Sequence, residues 1–147
     1  MEKLYPILAQ MKVCLDELEA IMIEEVSQLD RTKINPVLLQ VLSDNKSQLL
    51  STIQHYDNMR KQREQTLNIA APYSVESKLS ARWQQVSEAV ARTRVLNEQV
   101  ATMLQQHVKK NQTMQKVVEQ AGGGHTLYGP AGEASRPATG HRYDFSI

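Results

Sequence analysis

The chain has 147 residues, a length that suits one domain, and 41% of them are hydrophobic while 22% are charged. Its net charge of +1 gives no basis for steering toward nucleic acid, and the sequence contains no run of about 18 apolar residues that would span a membrane. With a single cysteine, Cys14, and no apolar signal-peptide core, the sequence excludes a disulfide framework and predicts a cytoplasmic protein.

The first predicted element is a helix over about residues 3–30. Its apolar residues recur at alternating steps of four and three, which places them on one helical face. This stripe comprises Leu4, Leu8, Met11, Leu15, Leu18, Met22 and Leu29. Glu25 occupies the one stripe position that is not apolar, and the whole segment is acidic. We expect this charge either to complement other helices or to form an ordinary solvated face.

The second helix is predicted over about residues 36–70. Asn35 accepts a backbone hydrogen bond as an N-cap, and Pro36 is tolerated at the first helical position. The apolar stripe comprises Leu38, Leu42, Leu49, Ile53, Tyr56 and Leu67, with interruptions at Asn45, Arg60 and Arg63. The later segment "MRKQREQ" should therefore be polar almost all round.

Pro72 disfavours helical geometry in the residue before it, so the third helix should begin near Val75 and extend to Ala121. Its heptad stripe is sustained for more than five repeats, which indicates coiled-coil packing. The stripe residues are Leu79, Trp83, Val86, Val90, Thr93, Asn97, Val100, Leu104, His107, Asn111, Met114 and Val118. Its polar members either set the register of packing or weaken that half of the bundle enough for a partner helix to displace part of it.

The three segments predict an all-α fold in which three long helices form an antiparallel coiled-coil-like bundle over residues 1–121. Short connections favour antiparallel neighbours. At about 1.5 Å per residue the helices should be roughly 40, 50 and 70 Å long, so the third helix should pass the start of the second near residue 110.

Beyond residue 110, Met114, Val117 and Val118 should form an exposed apolar stripe. One interpretation is that this overhang frays or forms a homodimer. The other is that a partner helix binds to it. Burial of the three side chains would contribute about 5 kcal/mol before the costs of ordering and association.

Residues 122–147 are predicted to be a flexible tail, because glycines 122–124 end the helix and no periodicity follows. Two apolar segments interrupt it, "TLYG" at 126–129 and "YDFSI" at 143–147. Either these residues have no function or they form a short linear motif, for which Tyr is a suitable anchor.

The sequence contains no pattern typical of catalysis or metal binding. No two of its four histidines have the spacing of metal ligands on one helical face. The motif "GGGHT" follows a helix rather than preceding one, unlike a phosphate-binding loop. We therefore predict a protein that is not an enzyme and has no metal or other cofactor, and we expect no nucleic-acid binding.

Three segments resemble the FlgN family of flagellar export chaperones. They are "LDELEAIMIEE" in the first helix, "ARWQQVSEAV" in the third, and "TLYGPAGEASRPATGHRYDFSI" after it. The last is the most specific, because it is similar to the family's closing pattern of Thr-Leu-Tyr-Gly, a small-residue stretch and a final Ser-Ile. The resemblance covers nearly the whole chain, although His125 and the closing "YDFSI" depart from the family pattern.

The resemblance implies a chaperone that binds the helical C-terminal segments of the hook–filament junction proteins FlgK and FlgL. Together with the overhang, it indicates client binding by Leu96, Val100, Met103, Leu104, Met114, Val117 and Val118. It also implies that Leu127 and Tyr128 dock at the export gate protein FlhA. The alternative is a structural coiled-coil protein that forms homo-oligomers through the third helix and has an inert tail.

Overall fold

The computed structural model describes residues 2–122, and its regular structure in this part of the chain consists of three α-helices and no strands. Helix α1 spans Leu4–Leu29, α2 spans Pro36–Leu67 and α3 spans Ser77–Gly122. The helices pack together, which confirms the predicted all-α class. The tail was predicted over residues 122–147; Gly122 is the last residue of α3, and residues 123–147 lie outside the described residues. No helix within residues 2–122 is long and apolar enough to cross a membrane.

Helix α1 is the central element, because it packs along both α2 and α3. It lies parallel to α3, as the contacts of Glu19 with Arg92 and of Leu29 with His107 show. Helix α2 lies antiparallel to both, with Lys46 near its start opposite Glu25 near the end of α1. The seven predicted stripe residues of α1 are all buried. Their periodicity therefore identified the face on which the core is built.

The ends of α2 follow from local chemistry. Asn35 is extended, and its Oδ1 accepts a hydrogen bond from the backbone N–H of Leu38 at 3.2 Å, directly before Pro36. Asn68 adopts the left-handed conformation with φ 55° and ψ 44°, so the helix ends at Leu67 rather than near residue 70. The N-cap at Asn35 thus agrees with the sequence-based expectation, and the C-terminus is earlier.

The connection between α2 and α3 is anchored by Tyr73, which is fully buried although its φ of 60° lies in a region that non-glycine residues seldom adopt. Its ring meets the edge of Trp83 at 5.6 Å. Its hydroxyl accepts a hydrogen bond from Arg60 Nη1 at 3.2 Å. These buried contacts compensate for the unfavourable backbone conformation of Tyr73.

The "MRKQREQ" segment was expected to be polar almost all round, and the structure buries one of its charges, since the Arg60 side chain is only 3% exposed. The guanidinium lies 4.5 Å from the centre of the Trp83 ring and forms ion pairs with Asp57 at 2.9 Å and Glu64 at 3.1 Å. Because one face of the guanidinium lies over Trp83 and its N–H groups have carboxylate and hydroxyl partners, Arg60 is accommodated in the core near the end of α2.

Candidate functional site

A buried polar layer crosses the bundle above its main apolar core, with one residue from each helix. Lys46 Nζ lies 2.9 Å from Glu25 Oε1 and 3.3 Å from Asn97 Oδ1. The Lys46 and Glu25 side chains are 3% and 5% exposed. Glu25 is therefore part of the packed face of α1, and the spacing of Lys46 from Leu42 and Ile53 was the signal that could have identified its partner.

Beyond this layer the interior is small. Leu29, Leu42 and Val100 are buried there but do not belong to the main hydrophobic cluster. Other apolar residues at this end are only half-buried, among them Leu38, Leu39, Met103, Leu104 and Val108, and Val37 and Val41 are exposed. We refer to this part of the molecule as the open end of the bundle.

Helix α1 ends at the level of His107. The Nε2 atom of His107 lies 2.6 Å from the backbone oxygen of Leu29. Since a carbonyl only accepts hydrogen bonds, Nε2 is the donor in this contact. His107 thus satisfies one of the carbonyl groups that every helix leaves unpaired at its C-terminus. Among the described residues, this is the last hydrogen bond from α3 to another helix.

The other polar residues on the α3 stripe differ in their surroundings. Thr93 is buried and donates to the backbone oxygen of Val90 at 2.9 Å. Asn97 accepts from Lys46, whereas Asn111 is exposed. The interhelical contacts of Asn97 and His107 are the kind that set a register, which supports that interpretation of the polar stripe positions.

Past His107, α3 continues to Gly122 as an overhang, which we define as residues 108–122. Met114, Val117 and Val118 are exposed to 58%, 57% and 55% in this segment. Their spacing of three and four residues puts them on one face of the helix. Within the described structure, the overhang therefore presents an exposed apolar stripe. No hydrogen bond or ion pair joins the overhang to α1 or α2 there.

The residues expected to bind a client differ in accessibility. Three of the seven are exposed on the overhang, as given above. Leu96, Met103 and Leu104 are half-buried, and Leu96 packs against the main core. Val100 is only 2% exposed, so a client could not reach it in this conformation. Leu127 and Tyr128 lie outside the described residues.

The described residues contain no group of three or more His, Cys, Asp or Glu side chains that could hold a metal ion. Cys14 is buried, and burial, aided by the charge of Glu17, raises the pKa of its thiol. A raised pKa lowers the fraction of thiolate, which is the nucleophilic form.

Comparison with known proteins gives one consistent match. The family model described as "FlgN protein" matches residues 1–136. The flagella synthesis protein FlgN of Yersinia enterocolitica is 34% identical over 133 residues, which cover 90% of each chain. That of Escherichia coli strain K12 is 30% identical over 145 residues, 97% of this chain and 95% of the relative. That of Salmonella typhimurium is 31% identical over 138 residues, 92% of each. No solved structure matches significantly.

Proposed function

This chain belongs to the FlgN family of flagella synthesis proteins, and on that premise we propose that it is a cytoplasmic export chaperone for flagellar assembly. Its clients are the helical C-terminal segments of the junction proteins FlgK and FlgL. It delivers them to the type III export gate through FlhA. Both steps use binding energy alone, so the protein needs neither catalytic groups nor a cofactor.

The exposed stripe of the overhang is the observation that carries this proposal. Met114, Val117 and Val118 are each more than half exposed on a helix that continues past its neighbours. An amphipathic client helix would bury them, with a gross gain of about 5 kcal/mol. Association and side-chain ordering remove a large part of that gain. The resulting modest affinity suits a client that must be released at the gate.

Delivery belongs to the tail in this proposal. Leu127 and Tyr128 follow a run of three glycines, which sets this pair apart in sequence from the helical bundle. A Tyr side chain buries a large ring while losing few torsional degrees of freedom. The pair therefore serves as the anchor for FlhA, separate from the client surface.

The test is to separate the two activities by mutation. In the double variant Met114→Glu/Val118→Glu, affinity for a FlgK C-terminal segment should fall by at least about tenfold, because charge is placed in the buried contact. Tyr128→Ala should leave that affinity unchanged and weaken binding to FlhA. Calorimetric titration of each variant with both partners measures the four affinities.

The matched control is Val13→Glu/Ile23→Glu, which puts the same two charges at apolar residues that are 50% and 54% exposed on α1. Its client affinity should stay within about twofold of the wild type. Unchanged client affinity in the overhang variant would remove the overhang from the proposal. Equal loss of both partners in Tyr128→Ala would refute the division between bundle and tail.

A second candidate function is a structural coiled-coil protein that self-associates through α3. The same exposed stripe favours it, because two copies of the overhang could bury each other's apolar face. In that case the tail is inert.

A further inference from the structure

The exposed stripe of the overhang continues the face of α3 along which α1 packs. Tyr5, near the start of α1, lies below Arg82 of α3, and Glu19 pairs with Arg92 at 3.1 Å. Leu29, at the end of α1, meets His107. Helix α1 packs in parallel along the α3 stripe and ends at Leu29. The exposed stripe beyond His107 is therefore the continuation of the same face of α3.

Helix α2 does not pack along this face of α3. Helix α1 is the one that packs along α3, whereas the polar contacts of α2 with α3 include those of Lys46 with Asn97 and of Arg60 with Trp83. The N-terminus of α2, which lies at this end of the bundle, also has fewer free backbone N–H groups than an uncapped helix would have. Asn35 caps it, and Pro36 has no backbone N–H to offer. A helix that lies on the overhang therefore meets the end of α1.

The C-terminus of α1 favours one end of such a helix. The last turn of α1 contains no basic residue, so the helix itself supplies no cation at the negative end of its dipole. The N-terminus of a helix has the opposite partial charge and unpaired backbone N–H groups. Placing a C-terminus there would instead bring two negative helix ends together.

The lysines of the overhang favour the same orientation. Lys109 and Lys110 lie just beyond His107, and both are exposed with no ion pair to another described residue. They attract negative charge to the part of the overhang next to α1. Lys110 lies on the same face of α3 as Met114 and Val117, so acidic residues in the first turn of a bound helix would meet it while also stabilising their own helix end.

We propose that the client helix binds the overhang as a continuation of α1, parallel to α3, with its N-terminal end beside the C-terminus of α1. This inference rests on the proposed client function and specifies its geometry. Residues 108–122 rise about 20 Å, so the client contributes about four turns of helix to the contact. Its apolar residues follow heptad spacing, and its first turn is acidic.

Site-directed disulfide cross-linking tests the orientation. In a Cys14→Ala background, one variant carries Thr32→Cys just after α1 and another carries Gln120→Cys near the end of α3. Both positions are exposed. The probe is a peptide of the FlgK C-terminal helical segment with one added cysteine, at its N-terminus or at its C-terminus. Ser51→Cys on the exposed face of α2 is the control position.

The N-terminal cysteine should cross-link to position 32 and the C-terminal cysteine to position 120. We expect the matched pairs to exceed the mismatched pairs by about fivefold in yield, and position 51 to react with neither. Reversed pairing, or equal yields in all four combinations, would overturn the parallel orientation. Reaction at 120 and 51 but not at 32 would overturn the alignment with α1.

The outcomes keep this inference separate from the proposed function. A client segment that binds the wild type, loses affinity in Met114→Glu/Val118→Glu and cross-links in the reverse sense leaves the chaperone role intact and removes the orientation. A segment that does not bind the wild type removes both. Urea unfolding of each cysteine variant confirms that the bundle retains its stability, so a missing cross-link is not a folding defect.

Discussion

The two buried cations of α2 are stabilised by different partners. Lys46 depends on one carboxylate from α1 and one amide from α3. Arg60 has two carboxylates of its own helix, the Tyr73 hydroxyl and the face of Trp83. A buried ion pair contributes little net stability, but removal of one member leaves an uncompensated charge in the interior. The cation with fewer partners should therefore be the more sensitive probe of interhelical packing.

We predict that Lys46→Ala lowers the free energy of unfolding by about 3 kcal/mol, because it leaves the Glu25 carboxylate buried without its cation. Urea denaturation monitored by circular dichroism measures the change. The control is Lys12→Ala, which removes an exposed i,i+4 pair with Asp16 at 2.6 Å and should cost about 0.5 kcal/mol or less.

The double variant Glu25→Leu/Lys46→Leu separates lost charge pairing from lost packing. It removes both charges and should recover most of the stability lost in Lys46→Ala. If Lys46→Ala costs no more than Lys12→Ala, Glu25 and Lys46 are not buried together in solution.

The buried phenol of Tyr73 should make the free energy of unfolding depend on pH. Burial raises the pKa of its phenol to about 12, although the neighbouring Arg60 acts in the opposite direction. The phenol is neutral below its pKa, so a raised folded-state value stabilises the fold below pH 10. That contribution is lost as the pH rises from about 10 to about 12, and a two-unit shift corresponds to roughly 2.5 kcal/mol.

Tyr73→Phe isolates this effect, because other tyrosines and the lysines titrate over the same range. The difference in unfolding free energy between wild type and Tyr73→Phe should shrink as the pH rises from 10 to 12, with the wild type losing more. An ultraviolet titration should also show one late-ionising tyrosine that is missing from the variant. A difference that stays constant across this range would mean that Tyr73 ionises normally in the folded protein.

At the scale of elements, α3 changes character along its length. Its first half is anchored by fully buried residues such as Leu79, Val86 and Val90. The section from Leu96 to His107 has one buried apolar residue, Val100, between half-buried neighbours. Within residues 2–122, the overhang forms hydrogen bonds only inside its own helix. Local stability follows buried contact, so it should decrease in this order.

Amide hydrogen exchange should therefore show a gradient along α3. We expect residues 83–93 to exchange only with global unfolding, and residues 109–121 to exchange at least about a hundredfold faster. Addition of a client segment should slow the overhang selectively. Uniformly slow exchange over residues 90–118 in the free protein would contradict both the gradient and the idea that this part of the bundle is open to a partner.

At the scale of the whole molecule, the exposed stripe poses a question of stoichiometry. The apolar residues of the overhang would be removed from solvent in either of two ways. A monomer would bury them against a client, and a dimer would bury them against a second copy of the chain. They differ in mass and in their response to a client. The small area of three side chains is well below what a stable dimer normally buries, which favours the monomer.

Light scattering coupled to gel filtration distinguishes the two cases. We expect the free protein to be a monomer over the micromolar range and to gain the mass of one FlgK C-terminal segment when that segment is added. The overhang variant Met114→Glu/Val118→Glu should stay monomeric and gain none. A stable dimer whose mass does not respond to the segment would support the structural coiled-coil alternative.

Much of the architecture was accessible from the sequence because it depends on local periodicity. The heptad spacing of α1 predicted its buried face, Asn35 and Pro36 predicted where α2 begins, and the unequal helix lengths predicted the exposure of Met114 and Val118. A periodic pattern reports which face of one helix seeks burial, and relative lengths report which part has no neighbour.

The tertiary structure decided which polar residues belong to the interior and where α1 stops along α3. Lys46 and Arg60 are polar residues that a sequence pattern would place on the surface. Lys46 is buried because Glu25 and Asn97 come to it from other helices. Arg60 is buried because Tyr73 and Trp83, which follow α2 in the chain, pack against it. Likewise, the burial of Val100 and the contact of His107 with Leu29 depend on the alignment of α1 with α3. No local period encodes that alignment, since sliding by one heptad keeps every apolar stripe in contact.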